Sequence, residues 1–222
     1  QFLQNPYWRY FRLLSDYVAR MSYVMSCGIP ICSIAVFDPT TSLWTHMGNP
    51  FHAFSYSGRD EREKQKLECL KQHWYEICQS LLLNRRDYDH LDAEMLGEAD
   101  VTDGVIRVGN AAYSVLILPP ITNLETAAWK TIKRFLDEGG IVIANGLLPY
   151  ERIEGGPQVD REILEVFGLD RHPYDAYWQP NETSKVDEQW IKGVKNAYFI
   201  PYRPNDSAEE REQALMSLLE LF

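Results

Sequence analysis

Nine side chains carry most of the chemistry open to this chain: five histidines and four cysteines. Cys27, Cys32, Cys69 and Cys78 show no Cys-x-x-Cys spacing, and no histidine completes a zinc pattern. A nucleophilic cysteine needs an elbow with a base beside it. Cys69 and Cys78 fall in a helical pattern, Cys32 in a strand pattern and Cys27 at a helix end. Ordinary reduced thiols are the expectation. His46 and His52 lie in an aromatic stretch, "PTTSLWTHMGNPFHAFSYSG" (39–58), with Trp44, Phe51, Phe54 and Tyr56. Aromatic faces stack on sugar rings and polar tips orient hydroxyls, so Trp44, His46 and His52 are the candidate substrate contacts. Packing against another domain is the competing role. As a metal pair the two histidines lack a third ligand.

"DYDHLD" (87–92) sets Asp87, Asp89 and Asp92 around His90. Paired carboxylates run glycoside hydrolysis, but a capped, solvated strand end is the expectation here. Tyr174, Tyr177, Trp178 and Trp190 gather in a third group. They are expected to pack under a long loop, with a carbohydrate-facing patch as the alternative. No G-x-G-x-x-G joins a strand to a helix. No cofactor and no metal are expected.

Composition narrows the partners. The formal charge of −10 argues against nucleic acid and against anionic membrane surfaces. No apolar run has the length of a membrane span, and no signal peptide is evident. A soluble, cytoplasmic protein is the expectation. The 222 residues, 45% of them apolar, suit one large domain or a domain with an appendage. The start at Gln1 and the helical pattern running to the last residues, "MSLLELF", read as a piece of a longer chain.

The elements that must position these residues follow from apolar periodicity. Trp8, Phe11, Leu14, Val18, Met21 and Met25 recur at three- and four-residue steps, which predicts a helix over 5–27 stopped by Gly28 and Pro30. A strand is expected over 29–38, a loop over 39–58 and a helix over 60–83. A strand or its end follows at 88–92. Residues 105–120 read as strand, Gly-Asn turn, strand. Next come a helix over 123–138 closed by Gly139-Gly140, a strand over 141–145 and a short helix over 158–167. Residues 169–193 read as irregular, 196–202 as a strand, and the final helix is capped by Asp206 or Ser207. Short apolar strands alternating with helices predict an α/β fold: a flavodoxin-like three-layer sandwich with a mostly parallel sheet. Residues 1–28 are expected as a separate N-terminal helix and 29–222 as the α/β domain.

The segment "YSVLILPPITNLETAAWKTIKRFLDEGGIVIANGLLP" (113–149) resembles the central part of the class I glutamine amidotransferase-like fold. In that fold the turn after the strand holds a nucleophilic cysteine. Gly146 stands at the nucleophile position here, followed by Leu147, and Pro120-Ile121 replace the oxyanion-side glycines. Glycine has no side chain to attack with, and proline has no N–H to donate. The resemblance therefore implies the architecture without the chemistry.

A fold of this kind without its cysteine occurs after the catalytic barrel of large glycoside hydrolases, as in the β-galactosidase trimerisation domain. The chain resembles most closely the segment after the barrel in family 106-like α-L-rhamnosidases. The residues that carry this are "NPYWRYFRLLSDYVARMSYVMSCG" (5–28), similar to a last barrel helix, "IAVFDPTTSLW" (34–44), "DYDHLDAEML" (87–96), "LILPP" (116–120) and "FLDEGGIVIANGLLP" (135–149). The resemblance implies a non-catalytic accessory domain that buttresses an upstream barrel and lines its cleft or an oligomer interface. Carbohydrate and a second copy of the chain are further candidate partners. The catalytic carboxylates would then lie upstream of Gln1. Two alternatives stand beside it: an amidotransferase-like hydrolase with an unusual nucleophile, and a sugar-binding module.

Overall fold

The computed structural model describes residues 4–47, 61–155, 161–179, 189–202 and 206–222. The chain divides into two compact units, Gln1–Ile31 and Cys32–Phe222. In the first, the Asn5 side chain accepts the N–H of Tyr7 at 2.9 Å, a 3₁₀ turn follows at Trp8–Tyr10, and helix α1 spans Phe11–Ser26. No residue of α1 is buried. The apolar stripe that predicts this helix is exposed at Trp8, Leu14, Val18, Met21 and Met25.

The second unit is built on a six-stranded sheet. In chain order its strands are β1 (Ile34–Phe37), β2 (Tyr88–Leu91), β6 (Val115–Leu118), β8 (Ile141–Asn145), β10 (Ile191–Lys192) and β11 (Ala197–Ile200). Their spatial order is β10-β11-β8-β6-β1-β2, parallel throughout except for the edge pair β10–β11. Taking the five parallel strands in turn, this is the 2-1-3-4-5 winding of flavodoxin-like sheets. The register aligns Ile34, Val115 and Ile141 across three neighbouring strands.

Successive residues on a strand face opposite ways, and the two cores show it. Ala35, Phe37, Leu116, Leu118, Val142, Ala144 and Phe199 join one core. Against them pack helices α4 (Ala93–Glu98), α5 (Thr126–Asp137) and α6 (Arg161–Val166), through Leu96, Trp129, Ile132, Phe135 and Ile163. Ile34, Val36, Ile117, Ile143, Tyr198 and Ile200 join the other, under α3 (Glu61–Leu83) and α8 (Ala208–Leu219). The second unit is thus a flavodoxin-like three-layer sandwich. Among the described residues no helix is long and apolar enough to cross a membrane.

Local chemistry sets the helix ends. Gly139 takes φ +99°, and the N–H of Gly140 returns to the Phe135 carbonyl at 2.8 Å, closing α5 in a Schellman turn. Ser207 and Glu210 form a reciprocal capping box at the start of α8.

Several expectations are corrected. The stretch read as a loop over 39–58 contains helix α2, Thr40–Met47. Asp38 starts it by accepting from the N–H and hydroxyl of Thr40 at 2.9 and 2.5 Å, a turn that outweighs the loop-like Pro-Thr-Thr-Ser composition. The apolar run from 29 becomes strand only at Ile34. The segment 105–120 is not one hairpin. β4 (Val105–Val108) pairs with β5 (Ala111–Tyr113) across the Gly109-Asn110 turn and with β3 (Asp100–Thr102) on its other side, in a separate antiparallel sheet, and β6 joins the central one. Asp103 and Gly104, both at positive φ, turn β3 into β4. The helix expected from 123 begins at Thr126, because Asn123–Leu124 forms β7 and pairs with β9 (Glu151–Arg152). The stretch 169–193, read as irregular, contains helix α7 (Tyr174–Trp178) and strand β10.

Candidate functional site

Open parallel sheets bind ligands beyond the carboxyl ends of their strands, where the winding reverses. Here that point lies between β1 and β6. It is closed by α2. Ser42, fully buried, accepts the N–H groups of Thr122 and Asn123 at 3.1 and 3.3 Å and donates to Asn123 Oδ1 at 3.0 Å. Asn123 Nδ2 donates to Thr45 Oγ1 at 2.8 Å, and Thr41 donates to Glu125 at 2.9 Å. One helix thus meets the N–H groups of Thr122 and Asn123 and the Asn123 side chain, while Thr122 Oγ1 and Glu125 Oε2 stay buried without a partner.

The turn after β8 is closed differently. Gly146 sits at φ +65°, a region that costs other residues energy. Its N–H donates to the Ile200 carbonyl at 2.8 Å. A Cβ at this position would lie 2.8 Å from the Tyr202 ring and 3.0 Å from the Tyr177 ring. Where the resembling fold carries its nucleophile, two tyrosines fill the space. Behind them Cys69 Sγ donates to Tyr177 Oη at 3.7 Å, and Tyr177 Oη lies 2.7 Å from His73 Nδ1. Arg211 pairs with Glu76 at 2.8 Å and lies over the Tyr202 ring. Burial pushes the Cys69 thiol up and, with Arg211 adding to the effect, brings His73 down to about 4. Burial also drives Tyr177 well above its ordinary value. At neutral pH the group is a neutral hydrogen-bonded network without a thiolate.

A cleft of about 520 Å³ opens between α2, α3 and the segment after β8. Thr45, His46, Glu63, Lys66, Tyr150, Glu151, His172 and Tyr174 line it. His46, only 5% exposed, binds Glu63 Oε2 through Nδ1 at 2.5 Å, and Glu63 Oε1 accepts from Lys66 at 2.8 Å. Burial works to raise the Glu63 carboxyl, but the hydrogen bonds from Lys66 and His46 together hold it below its ordinary value. Lys66 Nζ also lies 5.8 Å over the Trp178 ring. His46 Nε2 is buried with no hydrogen-bond partner. On the aromatic wall Tyr150 and Tyr174 meet edge to face at 5.0 Å, and His172 Nδ1 accepts the Tyr174 N–H at 3.1 Å. Burial lowers the His172 pKa, against the pull of the Pro149 and Leu148 carbonyls.

The residues singled out from sequence separate in space. His46 lines the cleft, whereas Trp44 is 68% exposed on α2 and does not. His52, with Phe51, Phe54 and Tyr56, lies outside the described residues. The Asp-rich cluster has unrelated duties: Asp89 accepts from the Tyr113 hydroxyl at 3.0 Å, Asp92 caps α4 at 2.7 Å, and His90 stands between Trp74 and Tyr88. No group able to hold a metal occurs among the described residues. Of the third aromatic group, Tyr174 lines the cleft, Tyr177 and Trp178 pack near the elbow, and Trp190 packs on the other face of the sheet. Sequence reasoning missed Glu63, Lys66, Tyr150 and His172. The first two read as a solvated helix start. Tyr150 carried one signal, its place directly after the turn that ends at Pro149.

No family model matches the chain, and neither curated proteins nor solved structures give a match.

Proposed function

We propose that this chain is a non-catalytic accessory domain of a multidomain glycoside hydrolase, whose parent acts on α-L-rhamnosides. The observation that carries the reading is the elbow at Gly146. It keeps the left-handed turn of a nucleophile position, yet Tyr202 and Tyr177 occupy the space a side chain would need. Its N–H is spent on Ile200, and Pro120 has no N–H to offer an oxyanion. The exposed stripe of α1 supports the same reading, since an upstream barrel would cover it. The domain's work is then to buttress that barrel, with its carboxyl-end surface toward the substrate cleft or a second copy. Four unpaired cysteines fit a reducing, cytoplasmic setting.

Hydrolysis of an aryl α-L-rhamnoside by the full-length parent and by this chain, side by side, tests the proposal. Activity in the parent and none in the chain is the expected result. Turnover by the chain alone overturns the accessory reading. A silent parent overturns the rhamnoside assignment.

A further inference from the structure

The cleft beside His46 has no part in the elbow or in α1, and buttressing a barrel does not need it. Its volume, about 520 Å³, is that of a small-molecule site. One wall is aromatic, with Tyr150 and Tyr174 at 84° to each other. The other is polar, and there Glu63, His46 and Lys66 are paired with one another, with Glu151 on the exposed rim. Glu63 holds both His46 and Lys66, and Lys66 also lies over Trp178. An anion would have to draw Lys66 away from Glu63, and a cation would meet Glu151 at the solvent-exposed rim, whereas a neutral ligand leaves the inner pairings intact. His46 adds an independent observation: it is nine-tenths buried, it lines the cleft, and its Nε2 has no partner. Buried polar nitrogens are normally bonded, and an exception marks a place where a partner is missing.

We propose that this cleft binds a neutral, polyhydroxylated ring of monosaccharide size. Its C–H face would lie on Tyr150 and Tyr174, and its hydroxyl edge would meet Glu63, Lys66 and His46. A sugar ring has this division into an apolar face and a polar rim. Carboxylate, ammonium and imidazole together accept and donate to vicinal hydroxyls. The choice of sugars rests on the accessory-domain reading, but the requirement for a neutral polyol comes from the cleft itself.

The test is titration of the 222-residue chain with methyl α-L-rhamnoside, methyl β-D-galactoside and methyl α-D-glucoside, followed by ligand-observed NMR. Saturable binding of at least one is expected, with Kd on the order of 1 mM for so small a ligand. Tyr174→Ala weakens it about tenfold, by loss of the stacking face, and Tyr174→Phe retains it. Trp44→Ala leaves it unchanged. Glu151→Ala, on the exposed rim, is the second probe if Tyr174→Ala does not fold, and a weaker Kd is expected there as well. No saturation with any of the three glycosides overturns the proposal, as does loss on Trp44→Ala with Tyr174→Ala and Glu151→Ala intact. Tighter binding of inorganic phosphate or methylammonium overturns the assignment to a neutral ligand. Failure here leaves the accessory reading standing, because that reading is judged by hydrolysis in the parent.

Discussion

The elbow at Gly146 and the cleft at His46 lie at the same end of the sheet and are finished in opposite ways. At the elbow the Gly146 N–H is matched by Ile200, the Tyr177 hydroxyl by His73 and Cys69, and Arg211 by Glu76. Two aromatic rings leave no room for a side chain. In the cleft there is open volume, a buried imidazole nitrogen without a partner and two aromatic faces. Similar residue types, histidine, tyrosine and glutamate, serve both. What separates them is whether the demand for contacts is met from inside the chain. In the reading proposed above, the elbow is architecture and satisfies its own contacts, whereas the cleft takes a ligand and leaves a demand open.

The largest test of this contrast is Gly146→Ala. A Cβ pays for positive φ and also collides with Tyr202 and Tyr177, so a loss of about 4 kcal/mol is expected by urea unfolding. A neutral result would mean that the elbow has slack and that the contrast is false. Next comes acid. His73 is held down to about 4 in the fold, against an ordinary value of 6.5. An unfolded chain therefore binds the proton first as pH falls. Stability should be full above pH 6.5 and lower by about 3 kcal/mol at pH 4. His73→Phe should flatten that slope in unfolding curves taken across the range.

Ser42→Ala strands the N–H groups of Thr122 and Asn123 in a buried loop and should cost about 2 kcal/mol. Its effect sharpens the comparison, since α2 would then hold the cleft wall less firmly while the elbow is untouched. Trp44→Ala is the smallest. A side chain this exposed should change stability by about 0.5 kcal/mol or less. A larger loss would show that α2 depends on Trp44 for packing.

Much of the fold was legible because it rests on short-range rules. The apolar run Ile141–Ala144, the Gly139-Gly140 stop and the Ser207 cap each follow from neighbours within a few residues, and each is found in place. Helix α2 was not legible. Its composition signals a loop, and the Ser42 hydroxyl that anchors it reaches residues about 80 positions away. The candidate site was legible only at His46 and Tyr174. Glu63 is 17 residues from its imidazole partner, and Tyr150 and Tyr174 meet across a loop and a helix start.

The sequence by itself determined the short apolar strands, the helix stripes, the alternation of strand and helix that demands a parallel sheet, and the absence of a side chain at residue 146. These depend on local backbone preference and on the need to bury one face of each element. Tertiary structure alone decided that Tyr202 and Tyr177 would fill the elbow, that Ser42 would seal the switch point, and that His46 would line a cleft with its Nε2 buried and unpartnered. Contacts of that kind are made between segments far apart in the chain. Their partners are chosen by the winding of the sheet, which no local window of residues contains.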